Sequence, residues 1–136
     1  MISKLINQLL YLIRISPVLI VLIFLNILFT FLIKLTPFKN TIRISKKEAY
    51  VIFNPLIKIK HLIIFQDLIS KLFPYNTCLV KATSIHKLSM MMGVKTKVFI
   101  GIAEKGSSLI SHAWIEINGV SYYYDSNKNY IPILDY

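Results

Sequence analysis

The chain has one cysteine in 136 residues. That excludes an internal disulfide framework and suits a reducing compartment. Acidic residues are also scarce, six against sixteen basic ones, giving a formal charge of +10. Such an imbalance favours acidic peptides, nucleic acid or anionic lipid as partners. No zinc-finger spacing and no aromatic RNA-binding signature accompanies the charge, so no nucleic-acid partner is expected. No cofactor and no metal is expected either. There is no internal repeat and no low-complexity linker, and the length suits one domain with a buried core. An apolar run follows Lys4, as in a signal peptide, but no small-residue cleavage site comes after it.

What the sequence has in excess is apolar surface. Hydrophobic residues make up 55% of the chain, and the excess sits in the first third. Residues 1–40 read as an apolar N-terminal helical region, and residues 41–136 as the remaining domain, the two forming one structural unit. Pro17 suits the first turn of a new helix with Ser16 as its cap. Residues 17–33 number seventeen, the short limit for crossing a bilayer. Three readings stay open for them: a span, an interfacial helix, or a buried helix of the fold. Lys34, Lys39 and Arg43 would hold the far end at the cytoplasmic side if the helix inserts. Thr36-Pro37-Phe38 ends it.

Ser45, with Glu48 three residues on, predicts a capping box and a short helix that Asn54-Pro55 breaks. Residues 56–73 carry helical periodicity, with Leu62, Phe65, Ile69 and Phe73 on one stripe and Gln66 largely elsewhere. Pro74 ends that helix. Asn76-Thr77 caps the next, over residues 78–92, and Gly93 stops it. Residues 94–103 read as a strand, residues 104–108 as a turn, and residues 131–134 as a short edge segment.

The sharpest local signal is a hairpin. Residues 109–117 alternate like a strand, Asn118-Gly119 predicts a two-residue type I′ turn, and residues 120–125 return. That register sets Ile117 against Val120, Glu116 against Ser121, Trp114 against Tyr123 and His112 against Asp125. Opposed residues share a face, with Cβ atoms about 4.5–5.5 Å apart. Ala113, Ile115, Ile117, Val120, Tyr122 and Tyr124 form the expected core face. His112, Trp114, Glu116, Ser121, Tyr123 and Asp125 form the expected site face.

A lone cysteine is usually a small buried hydrophobe. Cys78 differs in position, because unpaired N–H groups and the macrodipole at a helix start favour a thiolate. Its histidine partner follows by elimination. His86 lies eight residues along the same helix, about 12 Å away at 1.5 Å per residue. His61 sits among apolar helical residues as a packed or snorkelling side chain. His112 remains, with Asp125 as the acid that orients it. Glu116 shares the face but lies about 13 Å along the strand, as a solvated or substrate-facing group. Trp114 walls the site or covers a sheet edge. The Met90-Met91-Met92 run is core packing.

These residues have a family likeness. Cys78-Leu79, the run from Met91-Met92-Gly93-Val94 to Gly101-Ile102, and Ser111-His112-Ala113-Trp114-Ile115-Glu116-Ile117-Asn118-Gly119 resemble the lasso peptide leader peptidases. These are transglutaminase-like cysteine proteases of bacterial peptide maturation. Leu35-Thr36-Pro37-Phe38-Lys39 is similar to the family's N-terminal part. The resemblance implies an α+β, transglutaminase-like (papain-like) fold, with helices first and a small antiparallel sheet packed on the Cys78 helix. It implies Cys78 as nucleophile, His112 as base and Asp125 as orienting acid, with the backbone N–H of Cys78 as the default oxyanion donor. Trp114 and Glu116 are candidate substrate contacts. The implied substrate is a ribosomally made precursor peptide. The implied partners are a separate leader-binding protein and an ATP-dependent macrolactam cyclase. Apart from the resemblance, the apolar N-terminal run suggests contact with a membrane surface, with the catalytic part in the cytoplasm, where a thiol stays reduced. Two other readings stand beside it: an acyltransferase or amidase using the same residues on another amide, and a non-catalytic membrane-associated partner protein that keeps the fold, against which the intact Cys, His and Asp set argues.

Overall fold

Helix comes first and sheet last. The computed structural model describes residues 1–52 and 57–136. Among these described residues, four helices, α1 (Ile2–Leu35), α2 (Phe38–Lys46), α3 (Ile59–Leu72) and α4 (Cys78–Met91), precede four strands. The strands are β1 (Thr96–Lys105), β2 (Ser108–Ile117), β3 (Val120–Tyr122) and β4 (Ile131–Asp135). They form one antiparallel sheet in the order β3-β2-β1-β4. The expected α+β arrangement is the observed one.

The expected break in the first helix is absent. α1 runs unbroken through Pro17. A proline lacks the N–H that would bond the carbonyl four residues back. The Ser16 hydroxyl donates to that same carbonyl, Ile13 O, at 2.9 Å, so Ser16 repairs the ladder rather than capping a new helix. One stripe of α1, Ile15, Val18, Leu22, Leu25 and Phe29, is buried in the main core with Leu62 of α3 and Val80, Ile85 and Leu88 of α4. The opposite face is exposed, and so is every residue from Met1 to Leu10.

Two further expectations for the middle of the chain are corrected. Ser45 lies buried in the last turn of α2, and Glu48 lies beyond its end, so the pair forms no capping box. Pro37, extended at φ −55° and ψ 142°, precedes the helix instead. Its C-terminal carbonyls are held by α4, where the Lys87 ammonium donates to Ile44 O at 3.2 Å and to Lys47 O. In α3 the buried stripe is Leu62, Gln66 and Ile69, not Phe65 and Phe73. Gln66 and Asn26 exchange two amide hydrogen bonds of 2.9 Å, and Asn76 Nδ2 donates to Asn26 Oδ1 at 2.7 Å. A buried amide is costly unless paired, so this network fixes α1, α3 and the approach to α4 in one register. The expected break at Asn54-Pro55 and the first expected residue of α3, Leu56, lie outside the described residues.

α4 packs on the sheet face formed by Val98, Ile100, Ala113, Ile115 and Ile117. Its His86 is buried, with Nδ1 2.7 Å from the Thr96 hydroxyl and the ring edge-on to Tyr136. Burial, then the Lys87 charge, lowers the imidazole from its ordinary value to about 4. The unfolded chain therefore binds this proton more readily, between about pH 6.5 and pH 4. Stability contributed by neutral His86 is fully present above that window and lost on descending through it. Urea unfolding should show a loss of about 2 kcal/mol between pH 7 and pH 5. His86→Gln should flatten that acid slope, and a wild-type slope equal to the variant's would remove His86 as its source.

Candidate active site

Cys78 is the first residue of α4, as the Thr77 cap predicts. Thr77 is extended, at φ −73° and ψ 165°. It uses both oxygens on the first turn: Oγ1 accepts from Val80 N at 3.4 Å and the carbonyl accepts from Lys81 N at 3.1 Å. The N–H groups of Cys78 and Leu79 precede any intrahelical carbonyl and stay available as donors. The thiol is half-buried and packs against the main core. Lys81, one turn further, lies on the same side of the helix. Its ammonium is 5.4 Å from the centre of the Tyr123 ring.

His112 stands on β2 directly opposite Gly101 of β1. Strand alternation gives it the face of Trp114, which is the reverse of the face that α4 covers. A second, aromatic layer sits there: Trp114, Tyr130 and Ala103, with Phe99, Ile110 and Tyr123 packed around them. Trp114 is only 5% exposed, too enclosed to meet a substrate broadly. It stacks on Phe99 at 5.5 Å and on His112 at 6.3 Å. Tyr130 lies 5.1 Å from the imidazole. Gly101 makes room for the indole, because a Cβ there would sit 2.9 Å from two Trp114 ring carbons and 3.0 Å from Ile131 O. Two aromatic rings thus fix the plane of His112.

The Asn118-Gly119 turn forms as its sequence predicts, with both residues at positive φ, 51° and 81°. The register Ile117–Val120 and Glu116–Ser121 follows from it. The ladder then stops at Tyr122, and the expected pairings of Trp114 with Tyr123 and His112 with Asp125 do not form. Tyr123 turns left-handed, at φ 66°. Its carbonyl thereby reaches His112 Nε2, at 2.5 Å. Its ring touches both the main core and the aromatic layer. Burial, then the charge of Asp67 on α3, pushes the Tyr123 hydroxyl up and holds it protonated.

Asp125 lies two residues past that carbonyl. Its Oδ1 accepts from Asn127 N at 3.1 Å, and Oδ2 pairs with Lys128 at 3.4 Å. Among the described residues, Cys78, His112 and Asp125 make no hydrogen bond to one another; His112 and the Cys78 helix are linked through Tyr123. Glu116 is half-buried, four residues along β2 and across the ladder from Lys97. The other histidines are engaged elsewhere: His86 with Thr96, and His61 Nδ1 with the Tyr11 hydroxyl at 2.7 Å. The sequence places Tyr123 on the site face without giving it a role, and it does not mark Tyr130 or Gly101 as site residues. Tyr123 carries no local signal for a left-handed backbone, whereas Gly101 within a strand pattern is a recognised mark of close approach.

The profile of the transglutaminase-like superfamily matches residues 54–134. The match takes in Cys78, His112 and Asp125 and covers more than half of the chain. No curated protein and no solved structure matches it.

Proposed function

The chain belongs to the transglutaminase-like superfamily, and on that premise we propose that it is a cysteine peptidase acting through an acyl-thioenzyme. One observation carries the reading: the family's match includes a cysteine at the start of a capped helix and a histidine on the sheet against which that helix packs. The Cys78 sulfur attacks the scissile carbonyl carbon, and His112 takes the thiol proton. The N–H groups of Cys78 and Leu79 receive the negative charge that develops on oxygen. The C–N bond then breaks as His112 returns the proton to the leaving amine. Water, giving its proton to His112, attacks the thioester, and the carboxylic acid leaves as the thiol re-forms. His112 shares the sheet face turned away from α4, so this cycle requires substrate binding to bring the imidazole and the sulfur together.

The task we assign is removal of the leader from a ribosomally made precursor, as in lasso peptide maturation, in the cytoplasm. Its support is the resemblance of the Cys78-Leu79, Gly93-Val94 and His112-Ala113-Trp114 motifs to the leader peptidases. A separate leader-binding protein would deliver the precursor, and an ATP-dependent macrolactam cyclase would consume the freed amine. Delivery makes attack effectively intramolecular, so adding a leader-binding protein should raise turnover at low precursor concentration. Equal rates with and without it would place recognition in this chain.

Membership of the superfamily also accommodates acyl transfer, in which an amine replaces water at the thioester. Mass spectrometry of a candidate precursor incubated with the protein and a free primary amine separates the two. Cleavage with a gain of water supports the peptidase, whereas a new amide supports transfer. The lack of hydrogen bonds among Cys78, His112 and Asp125, with His112 on the sheet face turned away from α4, favours a third reading, a binding protein that keeps the fold. Formation of neither product, with Cys78 inert to thiol-reactive probes, would establish it.

A further inference from the structure

α1 presents far more apolar surface than the fold uses. Beyond the buried stripe, Ile20, Ile23, Phe24, Ile27, Phe31 and Leu35 recur at helical spacing on the outer face, each at least 40% exposed. Monomeric proteins rarely leave so long an apolar strip in water. The strip continues sideways. α3 exposes Leu68 and Leu72, and a groove of about 310 Å³ between the two helices is lined by Ile27, Phe31, Phe73 and Tyr75.

Two observations identify what covers it. The first is charge. Residues 1–47 hold Lys4, Arg14, Lys34, Lys39, Arg43, Lys46 and Lys47 and not one acidic residue. On α2, Lys39, Arg43 and Lys46 are all exposed, and Lys34 stacks on the exposed Tyr75 ring at 3.7 Å. A cation held on an aromatic ring beside an apolar strip suits the boundary between headgroups and acyl chains. The second is the start of α1, where residues 1–10 are exposed on every side. There Lys4, Asn7 and Gln8 share one side at helical spacing and the exposed Leu5, Ile6, Leu9 and Leu10 take the other, the division of an interfacial helix.

Length and hydropathy alone would let α1 cross a bilayer. Its packing argues for another orientation. Ile15 to Phe29 are part of the main core, and Asn26 is paired with Gln66. Carrying this stretch across hydrocarbon would bury the attached domain with it. We propose that the outer faces of α1 and the end of α3 dock in the plane of an anionic phospholipid bilayer, α1 lying along the interface and its basic flanks on the headgroups. The domain would then work at a membrane surface, a conclusion that does not depend on the chemistry of Cys78.

The test uses the full chain with vesicles of phosphatidylcholine alone or mixed with phosphatidylglycerol. Flotation should recover it with the anionic vesicles. Binding should fall by about tenfold or more in the Phe24→Ser/Phe31→Ser variant, which removes only exposed side chains, and in Lys39→Gln/Arg43→Gln. Trypsin added to bound intact vesicles should cut after both Lys4 and Lys34, since both ends lie on one side. Recovery in the soluble fraction regardless of lipid would overturn the proposal. Protection of Lys4 would establish a span instead. A lipid-free dimer that the Phe24→Ser/Phe31→Ser variant disperses would assign the face to a second copy of the chain.

Discussion

Cys78→Ala should abolish peptide hydrolysis and leave the fold unchanged. Loss of a catalytic nucleophile typically costs on the order of 10⁴-fold or more in turnover. The residual rate should show no acyl-enzyme, because the thioester has no sulfur to form on. The fold should tolerate the change for three local reasons. The thiol is half-buried, so little packing is lost. Alanine is the best helix former. The cap is untouched, because Thr77 supplies both oxygens that bind the first turn. Urea unfolding should therefore give a midpoint close to that of the wild type. Turnover by purified Cys78→Ala at near-normal rate, on a peptide the wild type cleaves, would end the thiol mechanism. An equal loss of stability and activity would reduce Cys78 to a packing residue.

The parts of this site that were legible in sequence are those fixed by a few adjacent residues. Thr77 caps α4 through its own side chain, and that places Cys78 at the first helical position. Asn118-Gly119 sets its turn because both residues tolerate positive φ, and it fixes three cross-strand pairs. What was not legible depends on partners distant in the chain. The alternation of residues 120–125 predicts a long return strand, but Tyr123 leaves it to lodge its ring between the main core and the aromatic layer. Nothing in three consecutive tyrosines marks the middle one as left-handed. Gln66 was set aside as polar, yet its amide is buried because Asn26, 40 residues earlier, completes its hydrogen bonds. Pro17 reads as a helix start by itself, and only the Ser16 hydroxyl on Ile13 O makes it an interior residue.

The same departure of Tyr123 decides how His112, the proposed base, should respond to mutation. A carbonyl oxygen only accepts, so His112 Nε2 carries the hydrogen that it shares with Tyr123 O. Nδ1 is then the nitrogen left with a lone pair for the thiol proton. In a triad the imidazole's tautomer is usually fixed by a carboxylate, and replacing that carboxylate by an amide costs about 10⁴ in turnover. Here a backbone atom occupies the position, and no side-chain substitution removes it. Asp125 shapes the turn that follows, through Asn127 N and Lys128, so under the proposed mechanism it would act on the imidazole only by positioning. His112→Ala should therefore cost on the order of 10⁴-fold in kcat/KM, whereas Asp125→Asn should cost only about tenfold to a hundredfold, well short of a directly bonded acid. Nitrogen chemical shifts of the His112 ring supply a readout that loop stability alone would not move. They should report the Nε2–H tautomer in both the wild type and Asp125→Asn. A tautomer change in Asp125→Asn, with a rate loss matching that of His112→Ala, would show that the carboxylate displaces the Tyr123 carbonyl from the ring in the working enzyme.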